Sequence, residues 1–338
     1  MRTRTYTSRR ARTWRGCARR GRAFNTGGPA TSSRCSQKDV DRLPSAAVAS
    51  WSMWSEVRPP TTTQVRDAFG VEVGELRPHP GGFEADAFTD GRWFVKLWRQ
   101  QPDSDAGLAL TAELATRGIP VPAAERALDG SYTSEHQGRR YALFPFLDGR
   151  QGTWNDADAI ARAMHAVHEI TDLVLPRTDM DEWCIEVLRD RHDHPWIVDR
   201  RDEVMANVDR LEAVIERARA IDVPHVVCHH DLFPHNVLVD RDGRIAALLD
   251  WGHAMLAPRE HDVFAALCGP DPVRFLRAYG AERLDLTHLE YARLARSLRD
   301  LAVRIYNEVD LEGVNTWGFD GLRRVDADLA LSRPFCDR

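Results

Sequence analysis

Between Val226 and Gly252 two aspartates and an asparagine, Asp231, Asn236 and Asp250, fall on short connections between apolar runs. Each carries an oxygen able to hold a hard cation, and an aspartate can also take a proton from a hydroxyl. Residues that do chemistry concentrate on such connections. Asn236 follows Asp231 by five positions and Asp250 follows it by nineteen, with the turn signal Asp240-Arg241-Asp242-Gly243 between them. The turn predicts that the apolar runs on either side fold into a hairpin. Asp231 would then stand at one end of its first strand, Asp250 at the end of its second, and Asn236 in the loop between. Two carboxylates and an amide oxygen converging on one point suit magnesium, which keeps part of its shell for phosphates. Phosphoryl transfer asks for that arrangement, with one acid facing the nucleophile and two other oxygens holding the metal on the nucleotide.

Two plainer readings compete. An N-capping aspartate and a turn asparagine in a buried hairpin would use the same residue types, although their joint spacing argues against coincidence. A transition-metal hydrolase site is the second, because His225, His229, His230, His235 and His253 crowd this region and imidazole suits zinc or iron. The chain, however, has no HExxH motif and no paired CxxC.

The run His229-His230-Asp231-Leu232-Phe233-Pro234-His235-Asn236 and the later Leu248-Leu249-Asp250-Trp251-Gly252 resemble a known pair of motifs. They are the catalytic loop and metal aspartate of the aminoglycoside phosphotransferase and choline kinase-like small-molecule kinases, relatives of the protein kinases. That family's loop usually reads H-G-D-x-x-x-x-N, so His230 replaces a glycine. The resemblance implies an α+β, bilobal protein kinase-like fold. A small antiparallel-sheet N-lobe over 53–148 would bind nucleotide, and a larger, mainly helical C-lobe over 149–338 would carry catalysis and the acceptor site. It further implies Asp231 as the catalytic acid–base group, Asn236 and Asp250 as Mg2+ ligands, His229 as a loop support acting through a hydrogen bond, and ATP, or GTP, as phosphoryl donor.

Upstream, Thr61-Thr62-Thr63 and Gly70 bound a short helix. Strands are expected over 71–76, 83–89 and 92–99. Gly81 and Gly82, between the first two, would let backbone N–H groups approach phosphate oxygens. Lys96, in the third, is the only lysine besides Lys38 in an arginine-rich chain. A compact ammonium acting as a point charge on phosphates is a role that resists arginine. In kinase-like folds the equivalent lysine also pairs with a helix glutamate, for which Glu113 in the helix over 106–117 is the candidate. Arg140–Gly149 resembles the last N-lobe strand and the inter-lobe hinge, where main-chain groups read the adenine edge. Proline has a carbonyl and no N–H, so Pro145 can accept from the amino group while Leu147 donates to the ring. Asp262 resembles the family's buried orienter of the catalytic loop. Helices are expected over 156–171, 202–221, 263–268, 273–279 and 286–307.

The 338 residues suffice for two sub-domains. No apolar run reaches bilayer length, which argues against a membrane protein. Six scattered cysteines read as reduced thiols of a cytoplasmic protein. Residues 1–38 hold ten Arg and one Lys with no acid, whereas the remaining 300 hold 35 basic and 51 acidic groups. Residues 1–52 read as a disordered basic extension or a start-site artefact. The acidic body would repel nucleic acid and attract a cationic acceptor, such as an aminoglycoside, spectinomycin or a choline-like compound. Asp181, Glu182, Glu308, Asp310 and Glu312 are candidates for its site. A contrasting expectation is a non-catalytic nucleotide-binding protein that keeps the fold.

Overall fold

The computed structural model describes residues 57–80, 85–99, 105–178, 180, 183–307 and 315–336. The readings made for the basic N-terminal extension, for Gly81 and Gly82, and for the acids Asp181, Glu182, Glu308, Asp310 and Glu312 lie outside them.

The first part comprises α1 (Thr62–Phe69), β1 (Arg77–His79), β2 (Ala85–Thr89), β3 (Trp93–Trp98), α2 (Ala106–Thr116), β4 (Ser134–His136) and β5 (Arg139–Pro145). Local chemistry bounds α1. Thr61 Oγ1 accepts from the Gln64 N–H at 3.1 Å, Gln64 Oε1 accepts from the Thr61 N–H at 2.9 Å, and Gly70 ends the helix at φ 68°. The five strands form one antiparallel sheet in the order β1-β2-β3-β5-β4. Val65 and Phe69 of α1 pack on one face with Val95, Leu97, Tyr141 and Leu143. Because side chains alternate along a strand, Lys96 points to the opposite face, with Phe94 and Trp98. The strand expected over 71–76 is displaced. Val73 and Leu76 are buried, but the ladder begins at Arg77. Pro78 is accommodated within β1 because that is an edge strand.

The second part comprises β6 (Arg150–Gln151), α3 (Ala157–His168), α4 (Trp183–Asp190), α5 (Arg201–Arg219), β7 (His225–Cys228), β8 (Val237–Val239), β9 (Ile245–Leu248) and β10 (Met255–Pro258). It continues with α6 (Glu260–Val263), α7 (Ala265–Cys268), α8 (Pro272–Tyr279), α9 (Leu286–Asn307) and α10 (Asn315–Ser332). The expected hairpin forms as β8 and β9, but Asp231 and Asn236 both precede its first strand, instead of standing at that strand's end and in the loop between the strands. Its first strand is shorter than the apolar run suggests, because β7 pairs with β10 in a separate sheet. The break falls at His230, which adopts φ 66° and turns the chain out of β7 before Asp231. Helix α9 runs through the core against α4, α5, α6 and α10. There Arg293 donates to Asp328 at 3.0 Å in a buried ion pair. Helices α4 and α10 fall outside the ranges read from the sequence. The α+β layout of a small sheet-rich part followed by a larger helical part holds, and no described helix is long and apolar enough to cross a membrane.

Candidate active site

Three side chains fix the loop after β7. Asp262, fully buried in α6, accepts the His229 N–H at 2.7 Å and the His230 N–H at 2.6 Å. His168 of α3 bridges Asp262, at 3.2 Å, to the Tyr279 hydroxyl, at 2.7 Å. Burial alone would raise the Asp262 carboxyl, but the hydrogen bond from His168 and the nearby histidines outweigh it and hold it down at about 2. Asp262 therefore orients the loop, and His168 packs within the helical part. The third side chain is His229. Its Nε2 lies 2.7 Å from the Leu249 carbonyl, so that nitrogen carries the proton, and Nδ1 accepts the Asp231 N–H at 3.3 Å. One ring thus ties the segment carrying Asp231 to the residue before Asp250.

Asn236, in the short 3-10 turn Pro234–Asn236, donates its amide N–H2 to the Asp231 carbonyl at 2.8 Å and to Asp231 Oδ2 at 2.9 Å. Its Oδ1 is the acceptor left over. The Leu249 N–H donates to the Asn236 carbonyl at 2.8 Å, so the two segments are also joined through backbone. Asp250 sits in the left-handed region, φ 65° and ψ 60°. A non-glycine residue held there is a strained feature of the sort found at functional sites. Lys96 Nζ donates to Asp250 Oδ1 at 2.9 Å and lies 5.5 Å from the centre of the Trp98 ring. The donor set left open, an amide oxygen and the second Asp250 oxygen, consists of hard oxygens that fit Mg2+. Gly107, in the first turn of α2, lies against the same loop; a Cβ there would stand 2.8 Å from the Trp251 carbonyl oxygen.

Several expectations need correction or placing. Lys96 does not pair with Glu113, whose carboxylate instead accepts from Arg117, one helical turn on, at 2.7 Å. The acid that meets Lys96 is Asp250. Pro145 and Leu147 are half-buried where β5 ends. The Phe146 N–H donates to the Arg92 carbonyl at 2.8 Å, so by strand alternation the Pro145 carbonyl faces the other edge. That edge is paired with β4 only over Arg139–Tyr141. The crowded histidines do not converge as ligands. Among the described residues the one group of three or more His, Cys, Asp or Glu whose metal-capable atoms all lie within 4.8 Å of one another is His168, Cys228 and Asp262, and the first and third of these are hydrogen-bonded into the loop frame.

Sequence reasoning missed Arg296 of α9. Its Nη1 donates to Asp231 Oδ1 at 2.6 Å, its Nε donates to Asp300 Oδ2 at 3.2 Å, and its guanidinium lies 4.8 Å from the Phe233 ring centre. Burial would raise the Asp231 carboxyl, but His235, 3.9 Å from Oδ2, and Arg296 hold it well below the usual carboxylate range. The available signal was a cation one turn from Ala292 and next to Ala295 on the buried side of an amphipathic helix.

Residues 75–301 match the phosphotransferase enzyme family. A homoserine kinase of Bradyrhizobium sp. (strain BTAi1) is 28% identical over 265 residues, which are 69% of this chain and 78% of that one. An aminoglycoside 3'-phosphotransferase of Streptomyces fradiae is 36% identical over 98 residues, 25% of this chain and 37% of that one. The crystal structure of a spectinomycin phosphotransferase in complex with ADP and spectinomycin shares the fold, with a TM-score of 0.62 at 18% identity over 80% of this chain and 96% of that one. The architecture is accordingly that of the bilobal, protein kinase-like small-molecule kinases. With its family match spanning two-thirds of its length, the chain belongs to the phosphotransferase enzyme family and is an enzyme of the small-molecule kinase type.

Proposed function

We propose that the enzyme transfers the γ-phosphoryl group of ATP, or of GTP, to a hydroxyl of a small, amine-bearing molecule in the cytoplasm. Residues 53–148 would hold the nucleotide, and residues 149–338 the catalytic groups and the acceptor. The observation that carries this reading is the meeting of Lys96 with Asp250 at 2.9 Å, beside a loop in which Asn236 and Asp231 are hydrogen-bonded to each other.

Lys96 holds phosphate oxygens, and the main chain at Pro145 and Leu147 reads the base. Asn236 Oδ1 and the Asp250 carboxylate would hold Mg2+, which when bound neutralises charge on the β- and γ-phosphates. Asp231 accepts a hydrogen bond from the acceptor hydroxyl and aims it at the γ-phosphorus. As the new O–P bond forms and the bond to the β-phosphate oxygen breaks, the hydroxyl proton passes to Asp231 and the nucleoside diphosphate leaves. Held by Arg296 and Asn236, Asp231 orients the hydroxyl in the ground state and takes its proton in or after a loose transition state. His229 positions the loop without touching the phosphoryl group.

Homoserine, aminoglycosides and spectinomycin, the compounds named for its relatives, all carry an amine and a hydroxyl. Release of ADP from Mg-ATP, or of GDP from Mg-GTP, with and without L-homoserine, kanamycin, spectinomycin and choline, tests the reading. A rate stimulated by one acceptor, with that compound gaining a phosphoryl mass, supports it. Nucleotide binding without stimulation by any hydroxyl compound favours the non-catalytic alternative instead.

A further inference from the structure

Arg296 reaches Asp231 from α9 and takes its Oδ1, while the Asn236 amide holds Oδ2. Arg296 projects from the middle of α9, and Asp300 stands one turn further along the same helix. The side chains of Asp231, Arg296 and Asp300 are all about one-quarter exposed, so the trio opens to solvent while its backbone is fixed in the core. The guanidinium is held on three sides, by Asp231 on Nη1, Asp300 on Nε and the Phe233 ring against its face. Its Nη2 has no partner among the described residues. This nitrogen presents two N–H donors beside the carboxylate that receives the acceptor hydroxyl.

Charge narrows what such a surface can take. The trio carries two negative charges and one positive. A bare anion meets net repulsion, and a bare cation leaves the Nη2 donors with water only. A molecule bearing an ammonium and a carboxylate a few bonds apart answers both, with its carboxylate on Nη2 and its ammonium on Asp300. Guanidinium is suited to the first contact because its fork matches a carboxylate plane and its charge is permanent. Resting on the phosphotransfer reading above, we infer that Arg296 and Asp300 form the recognition site for a zwitterionic hydroxy amino acid, whose hydroxyl they deliver to Asp231. Arg296 has a second effect from the same position. It holds Asp231 in place before the acceptor arrives, so the loop needs no rearrangement to receive the hydroxyl.

The test uses matched acceptors on the full-length enzyme with Mg-ATP: L-homoserine, 3-amino-1-propanol, which lacks only the carboxylate, 4-hydroxybutyrate, which lacks only the ammonium, L-serine with ethanolamine, and kanamycin. At least one amino acid should be phosphorylated, with a KM about 10- to 100-fold below that of its decarboxylated partner, the span expected for one charge-assisted contact. In Arg296→Gln that KM ratio should collapse towards one, and Arg296→Lys should restore part of it. Asp300→Asn should instead erode the advantage over 4-hydroxybutyrate, which gives a second reading if Arg296→Gln melts early. Preference for the amino alcohols or for kanamycin in the wild type, or an unchanged ratio in Arg296→Gln, overturns the inference and leaves phosphotransfer standing. Failure of every hydroxyl compound to stimulate turnover overturns the phosphotransfer reading, and the inference with it.

Discussion

Lys96 Nζ and Asp250 Oδ1 stand 2.9 Å apart although 154 positions separate them. The contact joins the centre of the five-stranded sheet to the segment after β9. Both side chains keep substantial exposure, 23% and 40%, so water screens the pair and its contribution to stability is about 1 kcal/mol or less. A weak pair at the meeting of two otherwise separate elements is better explained by what it does to a ligand than by what it does for the fold. A phosphate group entering here would exchange the Lys96–Asp250 contact for one to its own oxygens and leave Asp250 to a cation.

In the proposed reaction Asp231 is the group nearest the chemistry. Asp231→Asn keeps the size of the side chain and one oxygen for Arg296, but removes the negative charge that draws the hydroxyl proton. Turnover should fall by about two to four orders of magnitude, with a much smaller change in nucleotide KM. Steady-state kinetics on whichever acceptor stimulates turnover decides this, and a near-normal kcat would remove the assigned role.

Asp262 supports the loop from beneath. Asp262→Ala leaves the His229 and His230 N–H groups and the His168 ring without their acceptor in a buried site. Losing a buried charged acceptor should cost about 3 kcal/mol. Urea unfolding followed by tryptophan fluorescence reads that number, and a loss below about 1 kcal/mol would contradict the orienting role.

The His230 ring is packed against His261 at 5.7 Å, with its Nε2 buried and unpartnered. Burial pushes it down from the ordinary value of 6.5 to about 4. Between those values the unfolded chain binds a proton that the folded chain refuses, so stability falls as pH drops from about 6.5 towards 4 and the loss then levels off. From this residue the loss should reach at most about 3 kcal/mol. Urea midpoints at pH 7, 6 and 5 should decline, and His230→Gly, which also suits φ 66°, should flatten the decline. His261 is shifted the same way and should leave a residual slope.

Gly107 offers a prediction of unusual sign. Glycine to alanine within an exposed helix normally stabilises, by about 0.5–1 kcal/mol. Here the new Cβ would meet the Trp251 carbonyl at 2.8 Å, so α2 must shift away from the Asp250 segment. Gly107→Ala should therefore lower both melting temperature and nucleotide affinity. A rise in melting temperature would mean that the close approach is not part of the site.

Much of this arrangement could be read in advance, for identifiable reasons. The turn Asp240–Gly243 and the alternation around it place the β8–β9 hairpin, and helix α9 falls where its periodicity puts it. Short-range patterns of this sort are carried by residues close together in the chain. What escaped depends on partners far away. Glu113 is an acid on the expected helix, yet Arg117 at the next turn is nearer than any sheet lysine. The chain leaves β7 at His230, and only the Asp262 carboxylate, over thirty positions later, shows why it turns there. In the sequence Arg296 is one of several arginines on α9, and its partner Asp231 lies 65 positions away in sequence and 2.6 Å away in space.

Equilibrium binding of ATP by calorimetry, with and without Mg2+, tests the central assignment most directly when wild type is set beside Lys96→Ala and Asp250→Ala. The account predicts Mg2+-dependent binding by the wild type, weakened about tenfold or more in each variant, as expected for removing one charge-assisted phosphate or metal contact, while both variants stay folded. Equal affinity in all three proteins, or binding indifferent to Mg2+, would contradict it.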